Sequence, residues 1–504
     1  MKKQQYVLGV DIGTSSTKTL LVAADGKIVA ETTATYPLYS PKPGWNEQAP
    51  SDWWQATIKT VHAAMKQSGV KPTDVAGIGL SGQMHGSVFL DDRGRVLRNA
   101  LLWNDQRTAK QCADITQAAG GTKDLIALVN NVALTGFTAP KILWLRDNEP
   151  KLFKQLRQVL LPKDYIRFLL TGDYASEVSD AAGTLLLDVK NRKWSAPLLR
   201  KLDLDAELFP KLYESPDVTG TLHAEAAEAM GLIAGIPVVG GAGDQPAGAV
   251  GMGVVEEGIV SATLGTSGVV FAHAEKMVPN PEGVLQSFCH AVPNKWCVFG
   301  CMLSAGGSFE WAKDVLYADA KPKGGSVFDL MNAEIASVPP GCEGLFFLPY
   351  LDGERCPHAD PMARACWVGL SRRHGRAAMT RAVMEGITFG MGDQVALMRQ
   401  LGVKVNEVRC GGGGAKSQFW RQLQADIYGA TTVTVDSPNA SAYGAALLGG
   451  VGGGVWGSVP EACRKTLTVQ NRLKAAAKSA KFYAARAAIY RSLYPALKPA
   501  FAAL

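Results

Sequence analysis

The chain has 504 residues, is 47% hydrophobic and 19% charged, and carries 52 Lys and Arg against 45 Asp and Glu, a net charge of +7. This composition excludes intrinsic disorder, collagen-like repetition and a small disulfide-stapled fold, and at roughly 100–200 residues per domain it favours two large domains. Charges of both signs are spread along the sequence and no apolar run approaches the roughly 20 residues of a bilayer-spanning helix, so neither nucleic acid nor a membrane is indicated as a partner.

The opening MKKQQYVLGVDIG reads as a mature cytoplasmic N-terminus, because Asp11 interrupts the apolar run and no small-residue cleavage site follows. Residues 5–12 and 17–23 read as strands joined by a Gly/Thr/Ser turn, and AADGK turns the chain into IVAETTA, an antiparallel meander. Ser51 is expected to precede an amphipathic helix, WWQATIKTVHAAMKQ; VAGIGLSG then reads as a buried strand with a second hairpin at DDRG. Helical periodicity dominates from about 104 to 170. In GIPVVGGAGDQPAGAVG, Asp244 and Gln245 follow a buried strand and precede a helix with Pro246 in its first turn. A carboxylate there is either a helix cap or a general base held over a cleft, ready to take the proton of a substrate hydroxyl.

IGTSSTKTLLV at 12–22 and LGTSGVVFAHA at 264–274 share a strand, Gly-Thr-Ser turn, strand pattern, and Gly13 and Gly265 stand half the chain length apart. Two comparable halves are therefore expected, each opening on a hairpin whose turn offers backbone amides and hydroxyls to a phosphate. Ordinary hairpin turns have the same composition, so the alternative stays open at this point. Neither turn is a P-loop, since Thr17 rather than Gly precedes Lys18. A third glycine run, Gly411 to Gly414, is expected to join a strand directly to an amphipathic helix and to admit a flat ring or a phosphate at the helix N-terminus. The nine cysteines are scattered without a C-x-x-C pair and read as reduced thiols, and the spacing of Cys289, His290, Cys297 and Cys301 does not match paired zinc ligands. The basic stretch with Lys474, Lys478, Lys481, Arg486 and Arg491 reads as a closing helix with a solvated charged face.

GVDIGTSSTK, GWNEQAPSDWW, SGQMHG, LLWNDQR, GFTAPKILWLRDNE, GAGDQPAGAVG, LGTSG, RAVMEGI and GGGGAKSQFWRQLQAD, in this order, resemble the FGGY carbohydrate kinases of the actin, hexokinase and heat-shock chaperone superfold. The resemblance implies an α/β fold of two ribonuclease-H-like (actin/hexokinase-type) domains with a catalytic cleft between them. Residues 1–250 would form the sugar-binding domain with the catalytic base and 251–504 the ATP-binding domain. It also implies Asp244 as catalytic base and Asp11 as the acid positioning Mg2+. Thr14, Ser15, Gly265, Thr266 and Ser267 would cradle the phosphates of ATP, with Gly306, Gly412 and Gly413 on the adenosine side.

The resemblance further implies Met84 and His85 as the pair that contacts the sugar, expected to be D-xylulose, with Asp244, Gln245, Trp103 and Asp105 as further candidates. D-Ribulose, L-ribulose or another polyol is the alternative acceptor, and a non-kinase ATPase of the same superfold the alternative class. A cytoplasmic homodimer is the expected assembly, in keeping with the general prevalence of twofold symmetry. One departure is Ala378, where the family usually has an acidic or amide residue near a helix start; Lys141 and Trp144 fit the first signature and also suit one helix face.

Overall fold

The computed structural model describes residues 5–322, 324–437 and 439–504; the basic opening Met1–Gln4 lies outside them. The chain begins with the expected antiparallel meander, β1 (Tyr6–Ile12), β2 (Ser16–Ala23) and β3 (Ile28–Thr35). Helix α1 (Pro50–Ser68) follows. It starts two residues earlier than Ser51 suggests: Ala49 is the cap, and Pro50 takes the first helical position, where its fixed φ and missing N–H cost nothing. Strand β4 (Val75–Gly82) runs parallel to β1, with Ser81 opposite Asp11. A largely helical stretch containing α2 (Thr138–Asn148) and α3 (Pro162–Thr171) leads to β5 (Val218–Thr221), β6 (Pro237–Val239) and α4 (Asp244–Gly251). Among the described residues these strands form a seven-stranded sheet in the order β5-β6-β4-β1-β2-β3, with Ala242–Gly243 paired beside β4.

The second half repeats the opening. β7 (Gly258–Leu264) turns antiparallel into β8 (Gly268–Ala274), followed by β9 (Gln286–Cys289), β10 (Trp296–Met302) and α5 (Gly306–Leu316). The long helix α6 (Arg376–Gln400) precedes β11 (Val405–Gly412), which lies parallel to β7 as β4 lies parallel to β1. Then come α7 (Gln418–Tyr428), β12 (Thr431–Val435), α8 (Ala440–Gly452), β13 (Val469–Leu473) and α9 (Ala477–Phe501). The second sheet is ordered β9-β10-β8-β7-β11-β12-β13. Ala378 occupies the third position of α6 behind the side-chain-free cap Gly375, so the first turn lacks the reciprocal acid of a capping box.

Side-chain alternation on β1 explains the layering. Leu8, Val10 and Ile12 pack with Trp53, Val61 and Ala64 of α1, while Val7 packs with Ala442 and Ala446 of α8. Helix α8 thus returns from the second half to cover the first sheet, and glycine allows its close approach: a Cβ on Gly9 or Gly79 would overlap the carbonyl of Ala442 or Ala445. Helix α9 is anchored through buried Tyr483, Tyr490 and Tyr494. Its basic face is not wholly solvated: Arg491 pairs with Asp393 at 2.5 Å and Arg486 lies 4.0 Å over the ring of Phe346, because both stems fold back onto the core. No helix of the described residues is long and apolar enough to cross a membrane.

Candidate functional site

The end of β1 and the turn Gly13–Ser15 form one side of the site. Gln48 donates to Thr14 O at 2.7 Å and accepts from Trp53 Nε1 at 3.0 Å and Gln83 Nε2 at 2.9 Å, while Tyr36 Oη donates to Gly13 O. These groups occupy the carbonyls of the turn. Among the described residues the amides of Thr14 and Ser15 have no hydrogen-bond partner. Trp103 Nε1 donates to Thr14 Oγ1 at 2.9 Å, fixing that hydroxyl although the indole is 36% exposed.

The second turn, Gly265–Ser267, is arranged alike. Its carbonyls accept from the N-terminal segment of α5, Gly306 N to Gly265 O at 2.8 Å and Ala305 N to Thr266 O at 2.9 Å, and the amides of Thr266 and Ser267 remain without partners among the described residues. A Cβ on Gly306 would overlap Gly265 O, and one on Gly412, which also has φ of +74°, would overlap Leu264 O. Gly265, Gly306, Gly412 and Gly413 therefore converge around the end of β7. The glycine run does not join strand to helix directly: Gly411 and Gly412 complete β11, Gly413–Lys416 form a 3-10 turn, and Ser417 caps α7. The parallel pairing of β11 with β7 draws the first two glycines into the sheet.

Two carboxylates lie at the ends of neighbouring strands. Asp11 faces Ser81, whose hydroxyl donates to Oδ1 at 2.9 Å, and Ser81 in turn pairs with Ala242, two residues before Asp244. Burial raises the pKa of Asp11, opposed by Ser81 and Lys18. Burial first, and then the charge of Asp11, push Asp244 up to about 7. Gln245 Nε2 lies 3.4 Å from Asp244 Oδ1, and Asp244 is the first residue of α4, with Gly243 as the cap residue. No cluster of three or more His, Cys, Asp or Glu suited to a metal occurs among the described residues. A cation between these two repelling carboxylates would find one or two protein oxygens and take its other ligands from phosphate and water, the pattern that suits Mg2+.

Asp244, Gln245, Met84, His85, Trp103 and Thr14 line one cavity of about 590 Å³, closed on its other side by Ser267 and residues of the second half. His85 has φ of +69° and is held there by its own carbonyl, which accepts from Thr138 Oγ1 at 3.0 Å and Lys141 Nζ at 2.9 Å. Its Nδ1 lies 2.8 Å from Gly183 O. A carbonyl only accepts, so Nδ1 carries the proton and Nε2 is an acceptor. Burial lowers the pKa of His85 to about 3, keeping the ring neutral. Met84 packs against Gly243, where a Cβ would crowd its thioether, so this apolar wall also sets the strand that leads into Asp244.

Lys141 is a support rather than a contact group: it is buried, donates also to Gly136 O at 2.7 Å, and desolvation lowers its pKa to about 7. Lys141→Met strands the carbonyl of Gly136 and leaves that of His85 to Thr138 Oγ1 alone, and is expected to lower the melting temperature by about 3–10 °C, read by thermal denaturation. Asp105 does not reach the cavity; it is fully buried, ion-paired with Arg107 at 2.7 Å and bonded to Asn46 N at 2.8 Å. Sequence reasoning missed Gln48, Trp53 and Tyr36 behind the first turn, and Gln286, Glu354 and Arg355 on the far wall. The GWNEQAPSDWW segment carried a signal for Gln48 and Trp53, whereas the far wall had none beyond its order in the chain.

Residues 6–251 match the FGGY family of carbohydrate kinases, N-terminal domain, and residues 260–453 match its C-terminal domain. A xylulose kinase of Escherichia coli (strain K12) is 40% identical over 496 residues, covering 98% of this chain and 100% of that protein. A solved "xyloylose kinase" from Brucella ovis superposes with a TM-score of 0.90 at 36% identity, over 98% of this chain and 100% of that one. A gluconate kinase from Lactobacillus acidophilus superposes with a TM-score of 0.91 at 27% identity, over 98% of each chain.

Proposed function

The chain belongs to the FGGY family of carbohydrate kinases, and from that premise we propose that it transfers the γ-phosphoryl group of ATP to D-xylulose, giving ADP and D-xylulose 5-phosphate. The observation that carries the reading is the shared cavity: a carboxylate with its pKa pushed up to about 7 stands beside two Gly-Thr-Ser turns whose amides, without partners among the described residues, suit phosphate oxygens. The fold alone does not select the sugar, since a gluconate kinase superposes as well as the "xyloylose kinase" does. The choice of a pentulose rests on Met84 and His85 and on the xylulose kinase relative at 40% identity.

In this reading residues 1–250 supply the sugar site and base, and residues 251–504 the ATP site. Asp244 orients the 5-hydroxyl and accepts its proton as the oxygen attacks phosphorus in line with the departing ADP. His85 Nε2 accepts from a sugar hydroxyl, and Met84 forms the less polar wall. Thr14, Ser15, Thr266 and Ser267 donate to the phosphates; Gly306, Gly412 and Gly413 leave room for adenosine. Asp11 would hold Mg2+, which when bound offsets phosphate charge. Closure of the halves over the cavity keeps water from competing with the sugar. We place the enzyme in the cytoplasm as a homodimer, checked by light scattering on eluted protein.

The test is ADP release with MgATP across D-xylulose, D-ribulose, L-ribulose, gluconate, glycerol and no sugar. Preference for D-xylulose is expected; preference for another sugar would overturn the substrate, and no stimulation by any sugar would overturn the activity. Because the base must be ionised, kcat/KM for the sugar is expected to fall tenfold per unit below about pH 7 and to level off above it, as a pH–rate profile would record.

A further inference from the structure

The second-half wall of the cavity carries a charged group that the mechanism above leaves idle. Arg355 belongs to a segment pinned on both sides. Just before it, Glu354 is 3% exposed and its Oε1 accepts the amides of Leu303 at 3.2 Å, Arg355 at 2.6 Å and Cys356 at 3.2 Å. Just after it, the His358 ring stacks on Tyr494 of α9 with centroids 3.6 Å apart, and Tyr494 Oη donates to Asp360 Oδ2 at 2.6 Å. The backbone at 355 is therefore held, and the side chain is directed by a fixed frame.

The guanidinium of Arg355 is half-buried, lines the same cavity as His85 and Asp244, and among the described residues has no hydrogen-bond or ion-pair partner. It is near enough to His85 for its charge to add to the forces keeping that ring neutral. A guanidinium has five N–H donors and no acceptor, and leaving them unmatched in a partly desolvated wall is costly. The opposite wall has the complementary character: His85 Nε2 and the Asp244 carboxylate accept. An open-chain ketose offers hydroxyls, which satisfy acceptors, and one group that only accepts, its carbonyl.

We propose that Arg355 is the ketose-recognising residue of the second half, donating from its guanidinium to the C2 carbonyl of the sugar while Asp244 holds the hydroxyl at the other end. This rests on the sugar-kinase reading. It adds that the sugar bridges the two halves, so that binding the correct acceptor itself draws the cleft closed. Asp244, His85 and Met84 belong to the first half and Arg355 to the second; an acceptor with a hydroxyl in place of the carbonyl keeps the first set of contacts, but its tetrahedral C2 sets the oxygen out of the carbonyl plane and adds an O–H facing a donor-only guanidinium, which weakens the charge-assisted bond that spans the cleft.

The test compares wild type, Arg355→Gln and Arg355→Lys by calorimetric binding of D-xylulose and of xylitol, in which the carbonyl is a hydroxyl, together with KM for ATP. The Gln variant is expected to lose about 10- to 100-fold in D-xylulose affinity, with xylitol affinity and KM for ATP near wild type, so that the preference for the ketose collapses. The Lys variant, which keeps the charge without the planar fork, is expected to fall between the two. Unchanged D-xylulose affinity, an equal loss for D-xylulose and xylitol, or a rise in KM for ATP instead would each overturn the assignment. A wild-type protein inert toward every sugar would overturn the kinase reading on which it stands.

Discussion

Asp244→Asn is expected to lower kcat of the sugar-dependent reaction about 10²- to 10⁴-fold, with KM for ATP close to wild type. The amide keeps the size of the carboxylate and its contact with Gln245 but cannot take a proton from the attacking hydroxyl. The same variant is expected to be more stable than wild type at alkaline pH. The folded-state pKa of about 7 lies above the ordinary 3.8, so the folded protein retains a proton that the unfolded chain has lost. Stability contributed by this group is full below the ordinary value, declines as pH rises toward the folded value, and stays low beyond it. Melting curves should therefore show the Asn variant ahead of wild type at about pH 8, with the advantage shrinking toward about pH 4. A variant with lower stability at both pH values, or with near-normal turnover, would contradict the role given to Asp244.

Gly444→Ala is expected to cost about 3 kcal/mol and to lower the melting temperature by roughly 6–12 °C. A Cβ on Gly444 of α8 would overlap the carbonyl of Ala247 in α4, and one on Gly251 of α4 would overlap the carbonyl of Ala440. The two helices thus meet backbone to backbone, and Ser441 Oγ donates to Asp244 O at 3.0 Å across the same contact. Prising them apart displaces the first residue of α4, which is Asp244, so kcat should fall together with stability. Gly375→Ala is the control: φ there is −85° and nothing lies within 4 Å of the added Cβ, so a change within about 0.5 kcal/mol is expected by thermal denaturation. Equal effects of the two substitutions would dismiss the helix contact as a determinant.

Part of this architecture was legible because it is written in short windows. Alternating apolar residues around Gly13 and Gly265 announce two hairpins, and the placement of Asp244 between a buried strand and Pro246 announces a carboxylate at a strand end. Element boundaries are less legible there. Ser51 looks like a cap until Pro50 is seen to open the helix, and four glycines look like one loop until strand pairing takes two of them.

The sequence by itself supplied the two turns that suit phosphate and the candidate base, since each depends on residue types only a few positions apart, and it indicated the class of fold through the ordered motifs that resemble the FGGY carbohydrate kinases. Tertiary structure alone decided that α8 returns to cover the first sheet, that Lys141 holds the carbonyl of His85 rather than a ligand, and that Arg355 faces the cavity with no partner for its donors among the described residues. Those contacts join residues from 56 to 435 positions apart in pairs such as Lys141 with His85 and Val7 with Ala442. A contact across such a distance is selected by the energy of the packed whole and leaves no periodic trace in either local segment.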